Sequence, residues 1–156
     1  MRKAELPTNM SQRTKLDYHR YFSDFHVKPG FSKEYVSLWS GWLGTENMHK
    51  LDEVTEAQWE CFNRLIVSIS NRYELWVPDH HREALTRVAD IAGELVGYSE
   101  SMDKSADQFS QFLIPQLGSV ITEEWDYTFI VWYQDAEEIE TLKALVENVG
   151  LHHFSD

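Results

Sequence analysis

Seven histidines carry most of the side-chain chemistry available to this chain: His19, His26, His49, His80, His81, His152 and His153. Four of them form two adjacent pairs, His80-His81 and His152-His153, which raises the question of a metal. Neighbours on a strand point to opposite faces, and neighbours on a helix lie about 100° apart. Neither pair therefore aims two imidazoles at one ion. The helical alternatives, His80-x-x-Glu83 and His49-x-x-Asp52, are spacings that arise commonly by chance. The expectation is no metal and no cofactor.

Carboxylates cluster twice, as Glu123-Glu124-x-Asp126 and as Asp135-x-Glu137-Glu138-x-Glu140. Acid–base catalysis needs one carboxylate buried and one solvated, with their pKa values pushed apart. Adjacent acids at a loop or helix start are usually both solvated, and anions suit a helix N-terminus. Both clusters read as negative surface, and no catalytic residue is assigned. The lone Cys61 lies on a predicted helix between Trp59 and Phe62 and reads as a small buried side chain. It excludes an internal disulfide and a multi-cysteine zinc site. Dinucleotide, phosphate-loop and nucleophile-elbow patterns are missing; Ser37-Leu-Trp-Ser-Gly-Trp42 lacks the first glycine of an elbow. Arg13, Lys15 and Arg20 interleave with Tyr18, Tyr21, Phe22 and Phe25, types that stack on single-stranded nucleic acid. Three cations in an acidic chain favour a solvated helix face instead. Trp39, Trp42 and Trp76 are read as core, with partner anchoring as the alternative.

The formal charge is −12, from 14 basic and 26 acidic residues. Residues 1–50 hold eight basic and five acidic side chains, and residues 51–88 hold four and seven. Residues 89–156 hold two basic, Lys104 and Lys143, and fourteen acidic ones, so this segment equals the whole net charge. Such a field repels phosphates and anionic membranes and attracts basic protein surfaces. No run of 18 apolar residues is present, and Met1-Arg-Lys-Ala-Glu-Leu-Pro7 lacks the apolar stretch of a secretory signal. A cytoplasmic location is expected.

At 156 residues and 42 % hydrophobic content, one domain with a packed core is expected. Residues 1–10 read as a flexible arm and 11–156 as a single globular α+β domain. The pattern predicts a helix over 14–26, ended by Lys28-Pro29-Gly30, and a short helix from about Lys33. Thr55-Glu56-Ala57-Gln58 predicts a capping box, with Val54 and Trp59 as a hydrophobic staple, opening a helix to about Asn71. Residues 73–77 suit a strand or link. Pro78-Asp79 is read as opening a helix that Gly97 ends, and Ser105-x-x-Gln108 as capping one that carries Phe109, Phe112 and Leu113. Residues 125–133 alternate as a strand, with Val120 and Ile121 as an antiparallel neighbour. Asp135 then caps a helix that stops at Gly150, and Leu151 to Phe154 form a parallel strand, completing a right-handed β-α-β unit. The expected architecture is four to five helices packed on a small sheet.

Charge carries the functional expectation. The chain is read as an acidic inhibitor that occludes a basic site on a partner, a nuclease or nucleic-acid-binding protein. Immunity proteins and phage anti-defence proteins, some of them nucleic-acid mimics, act in this physical way. The expected contacts are Glu123, Glu124, Asp126, Asp135, Glu137, Glu138 and Glu140. The alternatives are a small enzyme with a dispersed His/carboxylate site, or a subunit of a larger assembly.

Overall fold

Antiparallel strand pairing, more than helix packing, organises this chain. The computed structural model describes residues 18–95 and 109–155. The expected arm at 1–10, the cap at Thr14, the stop at Gly97 and the cap at Ser105 lie outside the described residues. Among those described, the strands are β1 (Phe22–Ser23), β2 (His26–Val27), β3 (Ser32–Ser37), β4 (Trp76–Asp79), β5 (Ala84–Arg87), β6 (Gln111–Ile114), β7 (Ser119–Glu124), β8 (Thr128–Tyr133) and β9 (His152–Phe154). Beyond the helical turn that ends at Tyr21, the α-helices are α1 (Glu56–Ser70), the single turn α2 (Ile91–Glu94) and α3 (Ala136–Asn148), and a 3-10 helix spans Thr45–Glu53. No described helix is long and apolar enough to cross a membrane.

Seven strands form one sheet in the order β5-β4-β6-β7-β8-β3-β9, every neighbouring pair antiparallel. The fold is α+β, but the sheet is large where a small one was expected. Strand alternation sends side chains to two separate cores. On one face Val36, Phe112, Ile114, Ile121, Phe129 and Val131 pack with Phe62, Leu65, Ile66 and Ile69 of α1 and Ile139, Leu142 and Val146 of α3. On the other, Leu85, Leu113 and Val120 meet Tyr18, Tyr21 and Phe22. Each fully buried side chain of this size contributes roughly 2 kcal/mol.

The helices expected on strong local signals are present. Thr55 Oγ1 accepts from Gln58 N while Gln58 Oε1 accepts from Thr55 N, the expected capping box. Asp135 Oδ1 accepts from Glu137 N at 2.9 Å and opens α3. Gly150, at φ 88, terminates that helix, a conformation that costs glycine nothing.

Four expectations fail. The first helix ends at Tyr21, and Asp24 and Phe25, at φ 51 and 69, turn the chain directly into the β1–β2 hairpin. The helix expected from Lys33 is β3, where Glu34, Tyr35 and Val36 are all buried. A strand covered on both faces loses its two-residue alternation and can mimic helical spacing. The helix expected from Pro78 is the β4–β5 hairpin. Pro78 is tolerated because β6 pairs with β4 only at Trp76↔Leu113, so β4 behaves as an edge beyond that point. Phe112 and Leu113 lie in β6 rather than on a helix, and each fills a different core.

The final strand corrects the β-α-β expectation. Strands β8 and β9 run in the same direction, joined by α3, but β3 lies between them and pairs antiparallel with both. The unit is split. The N-terminal β3 thus closes the C-terminal third, a pairing that local pattern does not encode.

Candidate functional site

The seven expected contact carboxylates fall into two groups at opposite ends of β8, about 17 Å apart by strand rise. Glu123, Glu124 and Asp126 lie at the β7–β8 hairpin. Glu123 is buried and its Oε1 accepts from Ser110 N at 3.1 Å. Glu124 Oε2 accepts from Thr122 Oγ1 at 2.7 Å, and that hydroxyl accepts in turn from Trp132 Nε1 at 2.9 Å. Glu123 thus ties β7 to the segment ahead of β6, and Glu124 organises the hairpin. Asp126 is exposed at the turn. Asp135, Glu137, Glu138 and Glu140 sit at the start of α3, where Asp135 is the cap and Glu140 holds Lys143 at 3.0 Å.

Two histidines are built into hydrogen-bonded clusters that the sequence does not reveal. His153 on β9 bridges Glu34 Oε2 at 2.9 Å through Nδ1 and Glu147 Oε2 at 2.8 Å through Nε2. Partial burial alone would lower its pKa. The hydrogen bonds to Glu147 and Glu34, with the charges of both, outweigh that and hold it above the ordinary histidine value. His80 meets Tyr18 OH at 2.7 Å through Nδ1 and Gln111 Oε1 at 2.7 Å through Nε2, within the rings of Phe22 and Phe25. Burial, then the charges of Glu83, Asp24 and Asp79, raise the Tyr18 pKa and keep it a donor. Both nitrogens of both imidazoles are engaged, so neither ring offers a free nitrogen to a substrate. Among the described residues no group of three or more His, Cys, Asp or Glu is arranged to hold a metal ion.

The exposed hairpin end carries a different feature. Gly44, at φ 71, turns the chain leaving β3 into the 3-10 helix, and Asn47 Nδ2 donates to Leu43 O at 3.1 Å to hold the corner. This brings Trp39, Trp42, Leu43, Met48 and Leu51 beside Trp125 and Asp126 of the β7–β8 turn, around a groove of about 310 Å³. Trp42 and Trp125 remain 60 % and 44 % exposed, and Met48 is exposed beside them. The indoles are nonetheless braced from behind. Trp42 packs edge-on against Tyr35 at 4.6 Å and Phe154 at 5.1 Å, Trp125 against Phe109 at 4.6 Å, and Trp39 against Tyr127 at 6.3 Å. Asp126 is the one charged residue among the described residues lining the groove. The adjoining 3-10 helix adds exposed Glu46, Asp52 and Glu53 against Lys50.

Sequence reading named Trp39 and Trp42 but favoured core packing, and it did not single out Trp125, which its alternation placed inside a strand. Positive φ at Asp126 and Tyr127 makes residues 125–127 the turn and places the Trp125 indole outside. Two further grooves among the described residues, one along α1 from Glu60 to Ser68 and one around Asn71 to Leu75, also contain no histidine.

Comparison of the chain with known protein families, characterised proteins and solved structures gives no match.

Proposed function

We propose that this protein binds a basic partner protein through the tryptophan groove at the β7–β8 end of the sheet and occludes a cationic site on that partner, as an acidic inhibitor does. The observation that carries this reading is the pair Trp42 and Trp125, exposed yet braced by fixed aromatic neighbours. Exposed apolar patches mark interaction sites, and tryptophan dominates interface hot spots. Rigid side chains lose little entropy on binding. The net charge of −12 supplies the attraction that steers a basic partner to the groove. The engagement of both nitrogens on His80 and on His153 favours this reading over a small enzyme with a dispersed His/carboxylate site that uses either ring.

The test is capture from the native host's lysate at low salt, using wild type, the double variant Trp42→Ala/Trp125→Ala, and the triple reversal Glu137→Lys/Glu138→Lys/Glu140→Lys. Wild type should retain a basic protein in stoichiometric amount and release it in salt. The tryptophan variant, folded by circular dichroism, should retain none. A partner kept by the tryptophan variant but lost by the triple reversal would move the interface to α3. A partner that is not basic, or that resists salt, would overturn the electrostatic reading.

A further inference from the structure

The geometry points to an arginine side chain of the partner as the occupant of the groove, an inference that rests on the binding reading above. Three indoles and one carboxylate line one small space. Asp126 has no cation among the described residues lining the groove to neutralise it. An apolar plug would strip water from that carboxylate without compensation, which is costly. A cation would gain from the carboxylate and from the negative faces of the indoles together. The volume, about 310 Å³, is at the small end for ligand sites and suits one side chain rather than a large ligand.

Between the two common cations, the guanidinium fits better. It is planar, weakly hydrated, stacks flat on an indole, and presents paired N–H groups to a carboxylate. A lysine ammonium is a compact, strongly hydrated point charge that gives up more on leaving water. The bracing of Trp39, Trp42 and Trp125 means that the rings are already in place when the cation arrives. Asp126, on the β7–β8 turn, is the carboxylate that lines the groove.

The experiment follows the indole Nε1–H resonances of the ¹⁵N-labelled full chain at fixed ionic strength. The probes are acetyl-Gly-Arg-Gly-amide, its lysine counterpart, and its citrulline counterpart, which keeps the shape and loses the charge. The indoles of Trp39, Trp42 and Trp125 should shift saturably with the arginine peptide, with a dissociation constant on the order of 10 mM. Citrulline should bind about fivefold more weakly or worse. Asp126→Asn should weaken arginine binding about threefold, and asparagine accepts the φ of 65 at this position. Equal shifts with citrulline, no shift with arginine, or an unchanged constant in Asp126→Asn would each overturn the inference. If the arginine peptide fails while capture still depends on Trp42 and Trp125, only the cation assignment falls. If the peptide binds while capture ignores those tryptophans, the cation site stands and the functional reading falls.

Discussion

Replacing His153 with alanine removes a side chain that joins β9 to both β3 and α3 by charged hydrogen bonds. The two arms differ in worth. The Glu147 carboxylate is 66 % exposed, so its arm contributes at most about 0.5 kcal/mol. Glu34 is only 7 % exposed, on a strand flanked on both sides, and His153 itself is 21 % exposed. Leaving a buried carboxylate without its charged donor costs roughly 1.5–3 kcal/mol. The sum is about 1.5–3.5 kcal/mol, or roughly 5–10 °C in Tm for a domain of this size. Urea unfolding followed by tryptophan fluorescence measures it at pH 6 and at pH 9. His153 is raised in the folded state above its unfolded value of 6.5. Its stabilisation is therefore complete below pH 6.5 and is lost as pH climbs through the folded pKa. The gap between wild type and His153→Ala should be full at pH 6 and smaller at pH 9. A double-mutant cycle with Glu34→Gln should return a coupling of about 1–2 kcal/mol at pH 6. A gap that is negligible at pH 6, or that widens toward pH 9, would refute the account.

Other elements give independent tests. Thr55→Ala removes half of the capping box on α1 and should cost about 1 kcal/mol in chemical denaturation. Glu83 sits at φ 52 with a long, exposed ion pair to His19 at 3.9 Å, so Glu83→Gly should raise stability by about 0.5 kcal/mol; a loss would mean that the turn is not strained. Ile66, fully buried under the sheet, should lose about 3–4 kcal/mol as Ile66→Ala, whereas Trp42→Ala should cost under about 1.5 kcal/mol because most of its surface is already in water. Thermal melts of the two variants side by side should separate them clearly.

The parts of the fold that were legible in the sequence are those fixed by neighbours along the chain. The capping box at Thr55, the Asp135 cap, the stop at Gly150 and the alternation leading into β8 each satisfy backbone groups or φ values within a few residues. The misread segments share one feature. In each, cross-strand pairing overrode helical spacing: residues 32–37 pair with distant strands, as Val36↔His153 shows, while 76–87 and 111–114 close hairpins with near neighbours and meet at Trp76↔Leu113. The spacing of Leu85 and Val88 suited a helix equally well, and only pairing decided between the two.

The site divides in the same way. Composition and the order of residues established an acidic chain with its negative charge concentrated in the last 68 residues and with abundant aromatics. Tertiary structure decided which acids are free to act outward. It gave Glu123 to Ser110 N ahead of β6, Glu124 to the β7–β8 hairpin's own hydrogen bonds, and Asp135 and Glu140 to α3. It also brought Trp39 and Trp42 beside Trp125, more than 80 positions further along, by placing the end of β3 next to the start of β8 at Ser37↔Thr128. Residue types and local spacing set charge and caps because those act through space already adjacent along the chain. The groove depends on the register between distant strands, which is fixed only when each strand turns its apolar face into the shared core.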